Sequence, residues 1–266
     1  MITKQNLNEF RDFGATCIRG VLKNENLDEI EIAIDKNISN PSSMFRAFEK
    51  NDNDEFLFFN DFNNWRRIQE IKKICFNKNL ALTAKRLMNS KEVRLFHDHV
   101  IIKKAGSREK TPWHADKTYF MVDGEKTVSL WVPTHDVSKD ESLVFAKGSH
   151  KDRSLIMPRD FKTNSDLEHS DIFKKLDEKE ILEKYETISW EVRKGDILAF
   201  SYYTLHTAPE VLFDYDRKAM SIRYFGDDTL FDARIKNPAP PFTQIGYRGE
   251  HGDKLKYNWF PEVETR

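Results

Sequence analysis

Hydrophobic residues in the first third of the chain follow the spacing of amphipathic helices. Apolar side chains recur at helical intervals over residues 7–13, and Gly14 follows them as a stop signal. The same periodicity predicts helices over residues 24–34 and 77–88. Between the first two of these helices, residues 15–22 have the composition of a short strand and a turn. The N-terminal third is therefore predicted to form a mainly helical layer.

From residue 92 onward the pattern changes to short runs of β-branched and aromatic residues, which are typical of strands. Short strands at modest spacing predict an all-β barrel or a double-sheet jelly roll. We therefore predict a mainly β fold with flanking α-helices. In this fold a double-stranded β-helix (a cupin-like jelly roll) packs against the helical N-terminal layer. The strand-like runs cover residues 93–102, 127–132, 197–203 and 218–225.

The chain shows no sign of division into several domains. It contains no internal repeat, no low-complexity tract and no linker rich in Pro, Gly or Ser. A length of 266 residues fits one large domain. We expect a single domain over residues 1–266, with the helical layer at about 1–90, the β-core at about 92–235 and a C-terminal extension at 236–266.

Three segments do not fit this simple division. The polar stretch 151–187 is predicted to be an insertion with a helix at 177–185, and its charges indicate a solvated face. Residues 45–48 and 56–65 are rich in aromatic side chains. They are predicted to form either a lid over the site or part of the packing of the N-terminal core.

Composition narrows the possible classes of function. Lys and Arg number 43 against 44 Asp and Glu, which gives a formal net charge of −1. A dedicated nucleic-acid-binding protein would normally show a basic surface. The sequence has no apolar run long enough for a transmembrane helix and no apolar signal-peptide core near Met1. Cys17 and Cys75 lack metal-type spacing. We therefore expect a cytoplasmic protein with reduced thiols and no nucleic-acid or membrane partner.

Three residues have the pattern of a metal site. His114 and Asp116 are two positions apart, so on a strand their side chains would share one face. Pro112 cannot donate to a sheet and places this pair at the start or edge of a strand. His206 follows a strand-like run that a Gly-Asp turn at 195–196 opens. Two imidazoles and one carboxylate on one side of a metal are typical of non-heme Fe(II) oxygenases.

An arginine completes this pattern. When 2-oxoglutarate binds iron through its keto-acid end, its far carboxylate needs a partner, and a guanidinium matches it with two hydrogen bonds. Arg217 lies eleven residues after His206, at the head of the next strand. Arg223 would share that strand face but lie about 20 Å away, so both cannot hold one carboxylate. The spacing favours Arg217, and Arg223 is left to pair with a core acid or with an anionic substrate.

Several segments together resemble the phytanoyl-CoA dioxygenase family of Fe(II)/2-oxoglutarate oxygenases. They include a Gly-hydrophobic-Arg-Gly start, the Pro-Trp-His-Ala-Asp motif and a segment that ends in Gly-Ser-His. The resemblance covers most of the chain, and its motifs are specific when taken jointly. The matching segments are residues 13–22, 112–116, 130–133, 141–150 and 195–206.

The resemblance implies a role for five residues. His114, Asp116 and His206 would bind Fe(II). Arg217 would hold the C5 carboxylate of 2-oxoglutarate, and Trp131 would line the co-substrate pocket. The implied reaction consumes O2 and 2-oxoglutarate, releases succinate and CO2, and oxidises a C–H bond. Because the carboxylate is present at position 116, hydroxylation is expected; relatives with Gly or Ala there could halogenate instead.

The expected substrate is a small molecule, anionic or zwitterionic. Several residues that could line its pocket are cationic or offer hydrogen bonds. Aromatic residues supply the rest. The candidates are His97, His99, Lys103, Lys117, Tyr119, Tyr202 and Arg223.

Other interpretations remain open at this point. His97 and His99 form a His-x-His pair that could serve a cupin-type metal site, line the substrate pocket or lie half-buried on a sheet. The chain could therefore be a cupin-like dioxygenase independent of 2-oxoglutarate, or a non-catalytic β-barrel binding protein. The remaining histidines are predicted to be surface or capping residues: His135, His150, His169 and His251.

Overall fold

The computed structural model describes residues 2–50, 53, 55–161, 163, 165–167, 171–211 and 214–265. Within these ranges the chain forms five α-helices and fifteen strands. The helices are α1 (Lys4–Phe13), α2 (Asn24–Ser39), α3 (Gln69–Cys75), α4 (Lys78–Met88) and α5 (Glu178–Lys184). The strands are β1 (Ala15–Ile18), β2 (Arg46–Lys50), β3 (Phe56–Phe62), β4 (Arg94–Lys103), β5 (Thr111–His114), β6 (Val122–Asp123), β7 (Thr127–Pro133), β8 (Val144–Ala146), β9 (Leu155–Ile156), β10 (Phe173–Lys174), β11 (Thr187–Ile188), β12 (Ile197–Phe200), β13 (His206–Ala208), β14 (Arg217–Phe225) and β15 (Leu230–Phe231).

Two antiparallel sheets make up the β-core, which confirms the predicted jelly roll. The larger sheet has the order β1-β12-β7-β14-β4-β3-β2, and the smaller has the order β11-β8-β13-β5. Apolar side chains from both sheets, such as Trp131 and Phe145, pack together between them. Alternate residues of the larger sheet, such as Leu130, face the opposite way and pack on the apolar faces of α1 to α4. The helices therefore support one sheet and leave the space between the sheets for the site.

Helix α1 ends where the sequence predicts but begins at Lys4, three residues before the predicted helical spacing. The Thr3 hydroxyl accepts a hydrogen bond from the backbone N–H of Asn6 at 3.2 Å, and the Asn6 side chain accepts from the backbone N–H of Thr3 at 3.0 Å. This reciprocal pair is a capping box. Gly14 ends the helix in the left-handed conformation, with φ of 84°. The chain then passes directly into β1 at the edge of the larger sheet.

The N-terminal third is less helical than predicted. Strands β2 and β3 lie within it and extend the larger sheet beyond β4. Asn60 and Asp61 in β3 are polar although both are buried. They break the alternation of apolar and polar residues by which a strand is recognised in a sequence. Asp61 accepts hydrogen bonds from the Asn37 side chain at 2.8 Å and the Ser42 backbone N–H at 2.7 Å, which offsets the cost of its burial. The two aromatic segments thus contribute paired strands.

The other predicted elements agree with the structure to within a few residues. Strands β4, β7, β12 and β14 correspond to the four strand-like runs. Helix α2 begins at the predicted residue and continues to Ser39, and α5 forms inside the polar insertion with Asp177 as its N-cap. Cys17 and Cys75 are buried and unpaired, and burial raises the pKa of the Cys17 thiol to about 12. Among the described helices, none is both long and apolar enough to cross a bilayer.

Replacing Gly14 by Ala is expected to destabilise the fold by about 2–5 kcal/mol, from the cost of a left-handed residue and of steric overlap. A Cβ at position 14 would lie 2.5 Å from Nδ1 of His150 and 2.6 Å from Oγ1 of Thr204. The backbone of Gly14 is also held in position, because its carbonyl accepts hydrogen bonds from the Thr204 hydroxyl and from the backbone N–H of Ser201. Urea denaturation followed by circular dichroism measures the loss.

Gly20 provides the matched control. It also has a positive φ, of 58°, but a Cβ there would meet nothing within 4 Å. Gly20→Ala should therefore cost only the backbone strain, about 1–2 kcal/mol. Equal losses for the two variants would show that the contacts around Gly14 do not matter.

Candidate functional site

Pairing of two short strands brings the three predicted metal ligands together. Strand β5 ends at His114, and β13 begins at His206, which lies directly opposite His114 in the antiparallel pair. Asp116 begins a short 3-10 turn, and Ala115 between them is extended, so the side chains at 114 and 116 lie on the same side. One potential ligand atom from each of the three residues lies within 4.8 Å of the others. All three side chains are buried.

Hydrogen bonds orient each ligand toward the centre of this cluster. Nδ1 of His114 lies 2.8 Å from the carbonyl of Pro112, and Nδ1 of His206 lies 2.9 Å from the carbonyl of Thr204. A carbonyl only accepts, so each Nδ1 carries the proton and each Nε2 keeps a free lone pair. Ser129 donates to Oδ2 of Asp116 at 2.6 Å, which leaves Oδ1 for a metal.

The electrostatics of the cluster keep all three ligands deprotonated at neutral pH. Burial, with His206 close by, lowers the pKa of His114 to about 3, and burial also lowers the pKa of His206. Burial alone would raise the pKa of Asp116, but Arg223 and the two imidazoles bring it down to about 2. Deprotonated ligands are the form that binds a metal. Two imidazole nitrogens and one carboxylate oxygen on one side fit Fe(II).

A narrow cavity of about 60 Å³ runs from the triad between the two sheets. Trp131 lines it, and Arg217 and Lys103 are direct partners across β14 and β4 in its wall. The Arg217 guanidinium donates to the carbonyl of Glu141 at 2.5 Å, and Nζ of Lys103 donates to the carbonyl of Glu109 at 2.6 Å. This end of the cavity therefore presents the buried Arg217 guanidinium, with the Lys103 amine beside it, and a guanidinium suits a carboxylate. Burial lowers the pKa of Arg217 to about 10 and that of Lys103 well below its usual value.

A larger cavity of about 330 Å³ adjoins the narrow one at the triad, and His99, His114 and Arg223 line both. Four of the predicted substrate residues line the larger cavity: His97, His99, Tyr119 and Arg223. Sequence reasoning missed several others from distant segments. Arg46, Asn60 and Phe62 lie within the aromatic segments that the sequence offers as a possible lid, and no local signal marks the rest. The missed lining residues include Met44, Arg46, Asn60, Phe62, Arg159, Phe161 and 237–241.

Two residues predicted to contact substrate, Lys117 and Tyr202, line neither of these two cavities. Lys117 is buried, and its Nζ pairs with Oδ2 of Asp232 at 2.6 Å, because the 3-10 turn after Asp116 rotates it toward the C-terminal part of the chain. Tyr202 is also buried, and its hydroxyl donates to the carbonyl of Tyr224 at 2.9 Å. Lys103 was placed with the substrate residues but lines the narrow cavity.

The remaining histidines do not form a second metal cluster among the described residues. His97 and His99 face the larger cavity from β4, and Nε2 of His99 lies 2.6 Å from Oδ1 of Asn60. The only cluster able to hold a metal in the described part of the chain is the His-Asp-His triad. His251 is exposed, His135 and His150 are partly buried, and the prediction for His169 lies outside the described residues.

The two arginines of β14 occupy different positions, as predicted. Arg217 lies opposite Lys103 in the sheet, whereas Arg223 lies opposite His97. Nε of Arg223 is 3.5 Å from Oδ2 of Asp116. The acidic residue beside Arg223 in the core is thus Asp116, one of the candidate metal ligands.

Comparison with known proteins agrees with this geometry. The family model described as phytanoyl-CoA dioxygenase (PhyH) matches residues 10–219. No curated protein matches the chain. Among solved structures, the non-heme alpha ketoglutarate dependent carbocyclase SnoK from nogalamycin biosynthesis is 19% identical with a TM-score of 0.77, and the match covers 99% of this chain and 97% of SnoK.

Two further structures carry bound molecules. The epimerase SnoN in complex with Fe3+, alpha ketoglutarate and nogalamycin RO is 18% identical with a TM-score of 0.75, and the match covers 98% of each chain. EctD from S. alaskensis with 2-oxoglutarate and 5-hydroxyectoine is 14% identical with a TM-score of 0.68, and the match covers 96% of this chain and 86% of EctD. At these identities the likeness establishes a shared fold.

Proposed function

Because the chain belongs to the phytanoyl-CoA dioxygenase family of Fe(II)- and 2-oxoglutarate-dependent oxygenases, we propose that it hydroxylates a C–H bond of a small anionic or zwitterionic metabolite. The reaction consumes O2 and 2-oxoglutarate and releases succinate and CO2. The observation that carries the proposal is the buried triad of His114, Asp116 and His206, with its ligand atoms within 4.8 Å of one another.

In this proposal the three triad residues hold the iron. Nε2 of each histidine and Oδ1 of Asp116 are the atoms left free by the surrounding hydrogen bonds. Bound iron supplies the activation of O2 and the oxidising power, which no protein side chain offers. The protein contributes a fixed ligand geometry, since Ser129 and two backbone carbonyls prevent the ligands from rotating.

The narrow cavity would take the co-substrate. Its length runs from the triad to Arg217 and Lys103, so a molecule that reaches the metal at one end can place a carboxylate against the Arg217 guanidinium and the Lys103 amine at the other. A guanidinium binds a carboxylate with two parallel hydrogen bonds. Trp131 provides a flat apolar wall between the two ends. We propose that these three residues bind 2-oxoglutarate and orient it.

The larger cavity would take the substrate. It reaches the triad next to the narrow cavity without extending to Arg217, and its lining mixes aromatic rings with cationic groups. Related structures bind small molecules, as nogalamycin RO in SnoN and 5-hydroxyectoine in EctD. SnoK and SnoN are described as a carbocyclase and an epimerase. The mass of the product is therefore the measurement that identifies hydroxylation, through the gain of one oxygen atom.

The proposal predicts a spectroscopic and a chemical result for the wild-type enzyme. Without oxygen, Fe(II) and 2-oxoglutarate together should give a weak visible charge-transfer band. After air is admitted, succinate should form in proportion to the 2-oxoglutarate consumed. Protein without Fe(II) is the control. A missing band together with no succinate contradicts the proposal, and turnover that ignores 2-oxoglutarate would indicate a cupin-like dioxygenase instead.

A further inference from the structure

One wall of the larger cavity contains polar atoms that the protein itself does not satisfy. This wall consists of Asn60, His97, His99 and Arg223, and we call it the polar wall. Nδ2 of Asn60, both ring nitrogens of His97, Nδ1 of His99, and Nε and Nη1 of Arg223 are buried and have no hydrogen-bond partner. Buried polar groups in folded proteins nearly always have a partner. A concentration of unpartnered atoms beside a reaction centre therefore indicates a ligand site.

The strand register makes the polar wall one continuous surface. Arg223 of β14 and His97 of β4 are direct partners, and His99 lies two residues further along β4 on the same face. Asn60 of the next strand is joined to His99 by a contact of 2.6 Å between Oδ1 and Nε2. Three adjacent strands thus present their polar groups to the same cavity, at its junction with the triad.

Arg223 gives the polar wall its charge. Its side chain is buried, and its contact with Asp116 is a distance of 3.5 Å without a hydrogen bond. Asp116 already accepts from Ser129 and has its other oxygen directed toward the metal position. The guanidinium therefore keeps donors free for a second anion, and it prefers planar or tetrahedral oxyanions that accept two hydrogen bonds.

The histidines add hydrogen-bonding capacity without adding charge. Burial and the nearby Arg223 lower the pKa of both His97 and His99 well below the usual range. A neutral imidazole offers one donor and one acceptor. His99 donates to Oδ1 of Asn60, so the free imidazole donor of the wall belongs to His97. Aromatic rings border the wall, with Phe62 stacked on His99 at 4.1 Å between ring centroids and Phe120 lying 5.5 Å from the Arg223 guanidinium carbon. The site suits a molecule with one oxyanion group and an apolar remainder.

We propose that the polar wall binds an oxyanion of the substrate, a carboxylate or phosphonate held by Arg223 with His97 and Asn60. The inference rests on the proposed function, which it extends to the position of attack. Nε of Arg223 is only 3.5 Å from a ligand residue of the metal. Reacting atoms approach to about 3–3.5 Å. The oxidised carbon would therefore lie close to the oxyanion group in the substrate.

The test compares three probes of similar shape: 4-fluorobenzoate, 4-fluorophenylphosphonate and the neutral 4-fluorobenzamide. Each is titrated into the anaerobic holoenzyme with Fe(II) and 2-oxoglutarate, and binding is followed by fluorine NMR. We expect at least one of the two anions to bind ten or more times more tightly than the amide, a ratio consistent with a charge-assisted contact (about tenfold or more). Paramagnetic Fe(II) should broaden the bound signal relative to the Zn(II) form. The anion that binds more tightly shows whether the site prefers a carboxylate or a phosphonate.

Arg223→Gln keeps the size of the side chain and removes its charge. The variant should prefer the anion over the amide by about threefold or less. Its affinity for the amide should change by no more than about twofold. Arg46→Gln is the matched control, because Arg46 is an exposed arginine that lines the same cavity from β2. This control should keep the full preference. A residue that only supported Asp116 would not change the ratio between anion and amide.

Several results would overturn the inference. One is equal binding of anions and amide by the wild-type holoenzyme, a comparison that needs no variant. Others are an unchanged ratio in Arg223→Gln, or the same loss in Arg46→Gln. Absence of the charge-transfer band in the wild type would instead contradict the proposed function. A charge-transfer band without any preference for anions would contradict only the proposed role of the polar wall.

Discussion

Asp116→Asn is expected to abolish Fe(II)-dependent succinate formation. The substitution keeps the volume of the side chain but replaces the one anionic ligand of the triad with a neutral amide. Arg223, with Nε 3.5 Å from Oδ2 of Asp116, would then face the metal position without a counter-charge. Removal of an outer hydrogen-bond partner typically costs about 10–100-fold in metal affinity, and loss of a ligand should cost more. Fe(II) titration under anaerobic conditions and succinate assays measure both effects.

Ser129→Ala gives a graded control for this prediction. Ser129 acts on the triad through its hydrogen bond to Oδ2 of Asp116, at 2.6 Å. Its loss should leave a working site with Fe(II) affinity weakened by about 10–100-fold. If Asp116→Asn binds Fe(II) as well as the wild type does, the triad is not the metal site. Thermal denaturation of both variants checks that the fold is retained.

The second large effect is expected for Arg217→Ala. We predict that the KM for 2-oxoglutarate rises by at least about 30-fold, because truncating one member of a buried charged pair typically costs about 2–5 kcal/mol. Arg217 is buried and lies opposite Lys103, so no solvent molecule or mobile side chain replaces it easily. The variant should still bind Fe(II), since Arg217 does not contact the triad. Initial rates over a range of 2-oxoglutarate concentrations test this.

The control uses a second keto acid in place of a second variant. 2-Oxopentanoate has the keto-acid end of 2-oxoglutarate but carries a methyl group where 2-oxoglutarate has its far carboxylate. Its weaker affinity should be nearly the same in wild type and Arg217→Ala, and the variant should bind both keto acids alike. A variant that keeps the wild-type preference for 2-oxoglutarate would show that another group holds the carboxylate. Turnover unaffected by Arg217→Ala would favour a dioxygenase that does not use 2-oxoglutarate.

Local patterns in the sequence predicted most of the framework correctly. Helix α1 ends where Gly14 stands, since a left-handed residue at that point favours glycine. The four strand-like runs became β4, β7, β12 and β14, since each pairs with neighbours on both sides or packs on both faces. The error at β3 has a clear cause. Asn60 and Asp61 are buried but polar, and their burial depends on partners from distant segments.

The predictions for the site show the same contrast between what local sequence indicates and what the tertiary structure decides. His114, Asp116 and His206 could be identified because spacing and residue type are local properties. Lys117 and Tyr202 were assigned to the substrate because they are close to these residues in sequence. The 3-10 turn and the loop after β12 direct both of them into the interior, to Asp232 and Tyr224 respectively.

The sequence alone therefore determined the fold class and the identity of the candidate metal ligands, and it favoured Arg217 over Arg223 as the partner of the far carboxylate. These conclusions depend on period, spacing and the coordination chemistry of side chains. Only the tertiary structure decided that His206 lies opposite His114, that Lys103 joins Arg217 in the narrow cavity, and that four unsatisfied polar residues form the polar wall. The reason is physical: strand register sets which side chains meet across a sheet, and burial decides which polar atoms lack a partner. Both are properties of the assembled sheets, and neither is present in any local stretch of sequence.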